Sequence, residues 1–151
     1  SKDAVLKSLL QGTDDAVVVF CNYRASIDRA ESIAKEAGRD PLVFDGRSKT
    51  PTWKDFQSGK GDVLICQYQS GGVGIDLYRS HTMVLFEPTF SSLLLTQALA
   101  RTYRKGQETR CMYYFLTTVK TVEEKAWETV RSGKDVTDKL MSDWASKGLY
   151  L

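Results

Sequence analysis

The sequence predicts an α/β protein built on one parallel β-sheet with helices on both of its faces. Short apolar runs rich in β-branched residues alternate along the chain with amphipathic segments, which is typical of right-handed strand–helix–strand units. The 151 residues are 42% hydrophobic, enough to bury one core, and they contain no internal repeat and no low-complexity linker. We therefore expect a single domain over residues 1–151.

The first part of the chain predicts a helix, a strand and a second helix. Apolar residues at helical spacing predict a helix over residues 3–10, which Gly12 ends. An apolar run over residues 16–21 predicts a buried strand of a parallel sheet. Ser26 is predicted to cap a helix that continues to about Ala37.

The middle of the chain predicts three further strands and one short helix. The strands are expected at residues 42–44, 63–66 and 82–86, where apolar residues are bounded by polar ones. The short helix is expected over residues 51–57, because Pro51 suits a first helical turn.

The last part predicts a helix, a strand and two more helices. A leucine-rich helix begins near Ser91 and stops before Gly106. A strand is expected at residues 111–117, and amphipathic helices at residues 122–131 and 136–146.

Charge and cysteine content limit the class of protein. The net charge of +2 permits a nucleic-acid partner without requiring one. Cys21, Cys66 and Cys111 lie in or at the end of apolar runs, so we expect reduced, buried strand residues and no metal site. No apolar run approaches the roughly 18 residues of a membrane span. These features predict a soluble intracellular protein without a membrane partner, from the cytoplasm of a bacterium or phage-infected cell or from a nucleus.

Residues 96–107, TQALARTYRKGQ, carry the most specific pattern. Spacings of four and three place Gln97, Arg101 and Arg104 on one helical face. The planar guanidinium group of arginine suits phosphate oxygens and stays charged at neutral pH. The alternative from spacing alone is a solvated basic helix end beside its own negative dipole.

Two other segments follow predicted strands, at the edge where parallel sheets bind ligands. Residues 69–77, QSGGVGIDL, contain glycines that let backbone amides approach a ligand, but Leu77 breaks the dinucleotide-binding pattern. Residues 17–25, VVVFCNYRA, run from a strand into a helix, whose free N–H groups favour a phosphate. Simple helix capping by Asn22 or Ser26 is the alternative.

These three segments, in this order, resemble motifs IV, V and VI of superfamily 2 helicases. The form GGVGIDL followed by QAxxRxxRxGQ is most similar to the Swi/Snf branch of DNA translocases and chromatin remodellers, and the resemblance covers about residues 16–144. It implies a RecA-like fold, that of the second or C-terminal lobe of such a motor.

The resemblance implies a role in ATP hydrolysis for five residues. Arg104 would be the arginine finger, Arg101 a second phosphate or interdomain arginine, and Gln97 the residue that ties them to the nucleotide. Gly74 and Asp76 would lie beside the nucleotide, which is ATP with Mg²⁺ held mainly by the first lobe.

The resemblance also implies contacts to the DNA backbone without sequence preference. The implied residues are Asn22, Arg24, Gly46, Arg47, Gln69, Ser70, Gly71 and Gly72. Two residues depart from the branch: Asp76 stands where Asn is usual, which blurs the subfamily more than the role. Tyr103 stands where His is usual, and we expect a change in packing between the lobes.

Two motifs of a complete motor are absent from the sequence. It has no G-x-x-x-x-G-K-[ST] loop and no paired Asp-Glu after a strand. Both belong to a first RecA-like lobe, expected on a longer parent chain or a separate polypeptide, so the chain alone is expected not to hydrolyse ATP. The alternative function is a non-catalytic nucleic-acid or protein interaction module that retains the fold.

Overall fold

A computed structural model describes residues 1–70, 75–87, 89, 91–102, 111–118, 122–129, 138 and 142. The helices are α1 (Lys2–Gln11), α2 (Arg24–Glu36), α3 (Thr52–Gln57) and α4 (Ser92–Thr102), with a 3-10 helix at Tyr68–Ser70. The strands are β1 (Val17–Cys21), β2 (Pro41–Phe44), β3 (Val63–Gln67), β4 (Thr82–Leu85), β5 (Cys111–Thr118) and β6 (Val122–Thr129).

The six strands form one sheet in the order β2-β3-β1-β4-β5-β6. Its first five strands are parallel, and β6 pairs antiparallel with β5. The central strand β1 lies between β3 and β4, with Val17 opposite Val63 on one side and Thr82 on the other. The predicted parallel α/β sheet is therefore confirmed.

The core lies on both faces of this sheet. Residues of β1 alternate between the faces, so Phe20 joins the cluster of α3 and α4, whereas Val19 joins the cluster of α1 and α2. All five residues of β1 are buried, which explains why this strand is continuously apolar. Burying each large aliphatic or aromatic side chain contributes about 1.5–3 kcal/mol, so the two clusters supply most of the driving force for folding.

Two of the predicted elements differ in the structure. Ser26 does not cap a helix: α2 begins at Arg24, Tyr23 is its N-cap without a side-chain hydrogen bond, and Ser26 is buried in the first turn. The hydroxyl group of Ser26 donates instead to Glu87, an acceptor from a distant part of the chain.

The prediction of a helix over residues 122–131 is wrong, because residues 122–129 form β6. The register runs from Cys111 opposite Thr129 to Thr118 opposite Val122. Without β6, one side of β5 would leave its backbone N–H and C=O groups unpaired, and this pairing outweighs the helix propensity of Glu, Lys and Ala. Of the helix predicted over residues 136–146, only Asp138 and Ser142 are described, and both are helical and exposed.

Arg39 ties three segments together at the amino edge of the sheet. Its side chain is 8% exposed and forms an ion pair of 2.7 Å with Asp62. The same guanidinium group donates to the carbonyl oxygens of Leu10 at 2.8 Å, Thr13 at 3.0 Å and Asp15 at 2.6 Å. The planar fork of arginine thus closes the end of α1 and the loop that follows it against the start of β3. Within the described ranges, no helix is long and apolar enough to cross a membrane.

Candidate functional site

The described residues that the sequence predicts to contact DNA follow the carboxyl ends of neighbouring parallel strands. Phe20 of β1 lies opposite Cys66 of β3 and Leu85 of β4, so these strands end side by side. Segment 22–24, turn 45–48, the 3-10 helix and Glu87 therefore start from the same edge of the sheet. This is the edge at which open α/β sheets bind ligands.

Glu87 holds the segment after β1. Its Oε2 atom accepts hydrogen bonds from the backbone N–H groups of Asn22 at 3.0 Å and Tyr23 at 3.1 Å. Its Oε1 atom accepts from the hydroxyl group of Ser26 at 2.5 Å. Glu87 itself is only 8% exposed. An internal carboxylate thus occupies the N-terminal end of α2, where the helix dipole favours a negative charge.

This contact changes how segment 22–24 can meet a phosphate. The sequence predicted free amides at the start of α2, but those of Asn22 and Tyr23 are bonded to Glu87. The side chains remain: Asn22 is half-buried, and Tyr23 and Arg24 are exposed. A ligand of this segment would therefore contact its side chains and not the amides of Asn22 and Tyr23.

The 3-10 helix after β3 is anchored to the same residue. The phenol of Tyr68 donates to the carbonyl oxygen of Glu87 at 2.8 Å, and its ring stacks on Phe20 with centroids 5.6 Å apart. Burial raises the pKa of Tyr68 well above its ordinary value, so the phenol stays a hydrogen-bond donor at neutral pH. This anchor leaves Gln69 exposed and Ser70 half-exposed at the edge of the sheet.

Turn 45–48 follows β2 and contains the buried carboxylate of Asp45. Arg47 donates to Asp45 Oδ2 from Nε at 3.0 Å and from Nη2 at 2.6 Å, and its Nη2 also meets Asp28 at 2.9 Å. Burial alone would raise the pKa of Asp45, but the hydrogen bonds and charge of Arg47 outweigh it, so that pKa is lowered. The charge of Arg47 is thus largely balanced by two carboxylates of the chain itself.

Gly46 lies in this turn beside two polar side chains. A Cβ atom at this position would lie 3.7 Å from Arg24 Nη2 and 3.9 Å from Gln67 Oε1, which are ordinary contact distances. The turn after β2 and the start of α2 therefore form one continuous surface that includes Gly46 and Arg24.

The segment that ends at Leu77 is joined to the end of α4. The Leu77 N–H group donates to the Arg101 carbonyl oxygen at 2.9 Å. Helix α4 buries Leu95, Ala98 and Leu99, whereas Gln97 and Arg101 are half-buried. Asp76, next to Leu77, is exposed. The structure thus brings Asp76 close in the fold to the helix that carries Gln97 and Arg101.

Four of the predicted site residues lie outside the described residues. They are Gly71, Gly72, Gly74 and Arg104. Tyr103 lies outside them as well.

Sequence reasoning missed Glu87. Its signal was present, since it is a carboxylate placed directly after an apolar run that predicts a strand. That position puts a negative charge at the carboxyl edge of the sheet, beside the N-termini of helices that follow neighbouring strands.

The family model described as the helicase conserved C-terminal domain matches residues 1–106, and the chain belongs to this family. Among the relatives are DNA repair protein rhp54 of Schizosaccharomyces pombe, 31% identical over 132 residues, and DNA repair and recombination protein RDH54 of Saccharomyces cerevisiae, 26% identical over 144 residues. These matches confirm the resemblance to the C-terminal lobe of superfamily 2 helicases, with Swi/Snf-type relatives.

The matches cover most of this chain but only a small part of each relative. The two alignments cover 83% and 92% of this chain but 16% of each relative. The crystal structure of the C-terminal part of the Fun30 ATPase domain superposes with a TM-score of 0.64 at 21% identity, over 75% of this chain and 38% of the other. That likeness shows the RecA-like fold of a helicase C-terminal domain.

Proposed function

We propose that this chain acts as the second motor lobe of an ATP-dependent DNA translocase of the Swi/Snf type. Its relatives rhp54 and RDH54 are named as DNA repair proteins, which favours DNA as the partner. The observation that carries the proposal is the hydrogen bond of 2.9 Å from Leu77 to Arg101. It joins the segment that contains Asp76 to α4, the helix that carries Gln97 and Arg101.

The proposed chemistry is stabilisation of the charge that develops as the γ-phosphate of ATP is transferred to water. Arg104 would act as the arginine finger, with Arg101 as a second cation and Gln97 orienting the nucleotide. A finger of this kind raises turnover by roughly three to five orders of magnitude. Gly74 and Asp76 would lie beside the nucleotide.

The first RecA-like lobe would hold most of the nucleotide and its Mg²⁺. Within the described residues, no three His, Cys, Asp or Glu side chains form a group that could hold a metal ion. We assign the arginine side chains that act on the phosphates to this chain. We assign the metal ion and the attacking water to its partner lobe.

DNA would be held through its phosphates by the surface formed by segment 22–24, turn 45–48 and the 3-10 helix. Arg24 is exposed, and in the described part of the chain it has no ion pair. Gln69 and Ser70 add neutral donors, and Gly71 and Gly72 would follow them. Such contacts position a duplex without reading bases, so we expect weak binding without sequence preference.

Steady-state ATP hydrolysis tests the proposal. The chain alone should show no DNA-stimulated turnover above background, whereas the same chain joined to a first RecA-like lobe should. Arg104→Ala in the two-lobe protein should lower kcat roughly a thousandfold or more, while nucleotide affinity changes far less. Lys35→Ala, at an exposed position of α2, is the charge-matched control and should leave kcat unchanged.

Three outcomes would contradict the assignment. Turnover by the isolated chain that Arg104→Ala abolishes would place the whole active site in this chain. Unfolding of the Arg104→Ala protein would make Arg104 a structural residue. DNA binding by a two-lobe protein without any turnover would favour the non-catalytic interaction module.

A further inference from the structure

The start of α2 lacks the capping that most helices obtain from their own sequence. Its N-cap, Tyr23, has no side-chain acceptor, and no acidic residue lies in the first turn. A helix that starts this way leaves N–H groups that need a partner. Glu87, 64 residues away from Tyr23 in the chain, provides such a partner. Its carboxylate accepts hydrogen bonds from the N–H groups of the N-cap Tyr23 and of Asn22 before it, and from the hydroxyl group of Ser26.

Glu87 is also bonded through its main chain. Its carbonyl oxygen accepts the phenol hydrogen bond of Tyr68, the first residue of the 3-10 helix. The side chain of Glu87 therefore fixes segment 22–24, and its backbone fixes the segment that begins at Tyr68. One residue at the end of β4 sets the position of both.

The place filled by the carboxylate is an interior one. Glu87 is 8% exposed and the hydroxyl group of Ser26 that bonds it is buried, so a phosphate of a nucleic acid has no access to the same amides. The carboxylate does not compete with DNA for a surface site. It fixes the backbone that carries the surface.

We propose that Glu87 is a positioning residue for the DNA contact. By holding segment 22–24 and the 3-10 helix to the end of β4, it keeps Arg24 and Ser70 at a fixed separation before DNA arrives. A segment that is already ordered loses less conformational entropy on binding. The inference rests on the proposed DNA-binding function for its affinity measurement but not for its structural one.

The sign of the effect separates positioning from simple electrostatics. Removing a negative charge near a DNA-binding surface strengthens binding by itself, since phosphates are repelled less. Removing a positioning residue weakens binding, because the loop must then be ordered by the DNA. Glu87→Gln keeps the size of the side chain and removes its charge, so it tests the two effects against each other.

The experiment compares the full 151-residue chain with Glu87→Gln and Glu87→Ala. Glu36→Gln, which removes an exposed carboxylate at the other end of α2, is the control. We expect both Glu87 variants to bind a duplex roughly three- to tenfold more weakly with an unchanged salt slope. The amide proton resonances of Asn22 and Tyr23 should move upfield as they lose a charged acceptor, and the control should change neither quantity.

A small carboxylate provides a rescue. Acetate added to Glu87→Ala should recover part of the DNA affinity and of the amide shifts, relative to chloride at equal ionic strength, and should do nothing for the wild-type chain. Glu87→Asp should lie between wild type and Glu87→Gln. If the Glu87 variants do not fold, Ser26→Ala removes one hydrogen bond of the same carboxylate and should weaken DNA binding in the same direction.

Several outcomes would overturn the positioning role. Tighter DNA binding by Glu87→Gln would show that only its charge acts on DNA. Altered amide shifts with unchanged affinity would leave the proposed function intact and reduce Glu87 to a local anchor. A wild-type chain that does not bind DNA would overturn both the proposed DNA contact and the positioning role, with the amide shifts of Asn22 and Tyr23 still reporting the anchor by themselves.

Discussion

Arg24 and Arg47 show how two residues of one type at one edge differ in their availability to a ligand. Arg47 is bonded to the carboxylates of Asp45 and Asp28. Arg24 is exposed and has no ion pair within the described part of the chain. Within the described residues, a phosphate would have to displace two carboxylates to reach Arg47, whereas Arg24 attracts Asp45 without forming an ion pair with it. Only geometry distinguishes them, since the sequence gives each the same charge.

Arg24→Ala should therefore reduce the salt dependence of DNA binding more than Arg47→Ala. Each lost phosphate contact lowers the slope of log K against log salt by about 0.9. We expect Arg24→Ala to lose about one such contact on two unrelated duplexes, and Arg47→Ala to lose clearly less while destabilising the turn. Fluorescence titrations at several salt concentrations measure both slopes, and equal slopes for the two variants would contradict the assignment.

Asp45 makes stability depend on pH. Burial raises the pKa of its carboxyl group, but the hydrogen bonds and charge of Arg47 lower that pKa by a larger amount. In the folded state the pKa therefore lies below the ordinary value of 3.8. The folded protein then binds this proton less tightly than the unfolded chain does. The carboxylate stabilises the fold above about pH 4, and this contribution is lost as the pH falls through the lowered pKa.

Asp45→Asn should lower the free energy of unfolding by about 1 kcal/mol near neutral pH, because a neutral amide replaces the buried carboxylate that accepts the hydrogen bonds of Arg47. The difference from wild type should shrink as the pH falls below about 4. Urea denaturation at a series of pH values measures this, with Asp14→Asn, at an exposed position, as the control. A difference that grows in acid would mean that the sign of the pKa shift is wrong.

At the scale of elements, Arg39 joins pieces of secondary structure that the sheet alone does not hold. Helix α1 lies outside the sheet, and its last turn is bonded to Arg39 through the carbonyl oxygen of Leu10. Asp62, just before β3, completes the contact with its carboxylate. This arrangement fixes where α1 ends relative to the amino edge of the sheet.

Arg39→Ala should destabilise the fold by about 3 kcal/mol, because it removes a nearly buried guanidinium group and leaves its carboxylate and carbonyl partners unpaired. Arg39→Lys should recover little, since an ammonium group cannot reach the same set of acceptors. Lys60→Ala is the control: its ion pair with Asp55 is exposed and 3.7 Å long, so less than about 1 kcal/mol is expected. A loss for Arg39→Ala no larger than the control in chemical denaturation would contradict this role.

At the scale of the whole molecule, the sheet could be predicted because its signal is local. Each strand that is buried on both faces has a continuous apolar run, and the runs at β1, β3 and β4 were placed to within a residue. The face shared by Gln97 and Arg101 was also predictable, since it follows from helical spacing. Both features need only neighbouring residues in the sequence.

The predictions that were wrong concerned residues whose partners lie outside their own stretch of the sequence. The acceptor of Ser26 lies 61 residues away, so no local pattern could distinguish a capping serine from one that bonds Glu87. Strand β6 forms because β5 has an edge to pair with, whereas its glutamate, lysine and alanine content favours a helix. Local propensity is overridden in both cases by contacts that exist only in the folded chain.

The burial of Cys21, Cys66 and Cys111 has a practical consequence for testing the proposed motor function. Burial raises the pKa of Cys66 to about 12 and also raises those of Cys21 and Cys111, so their thiols stay protonated and shielded from solvent at neutral pH. A thiol introduced by Leu93→Cys, at a side chain 64% exposed, would therefore take a maleimide dye selectively without removal of any native cysteine. Paired with a second fluorophore on the proposed first lobe, it would report by energy transfer whether the two lobes open and close.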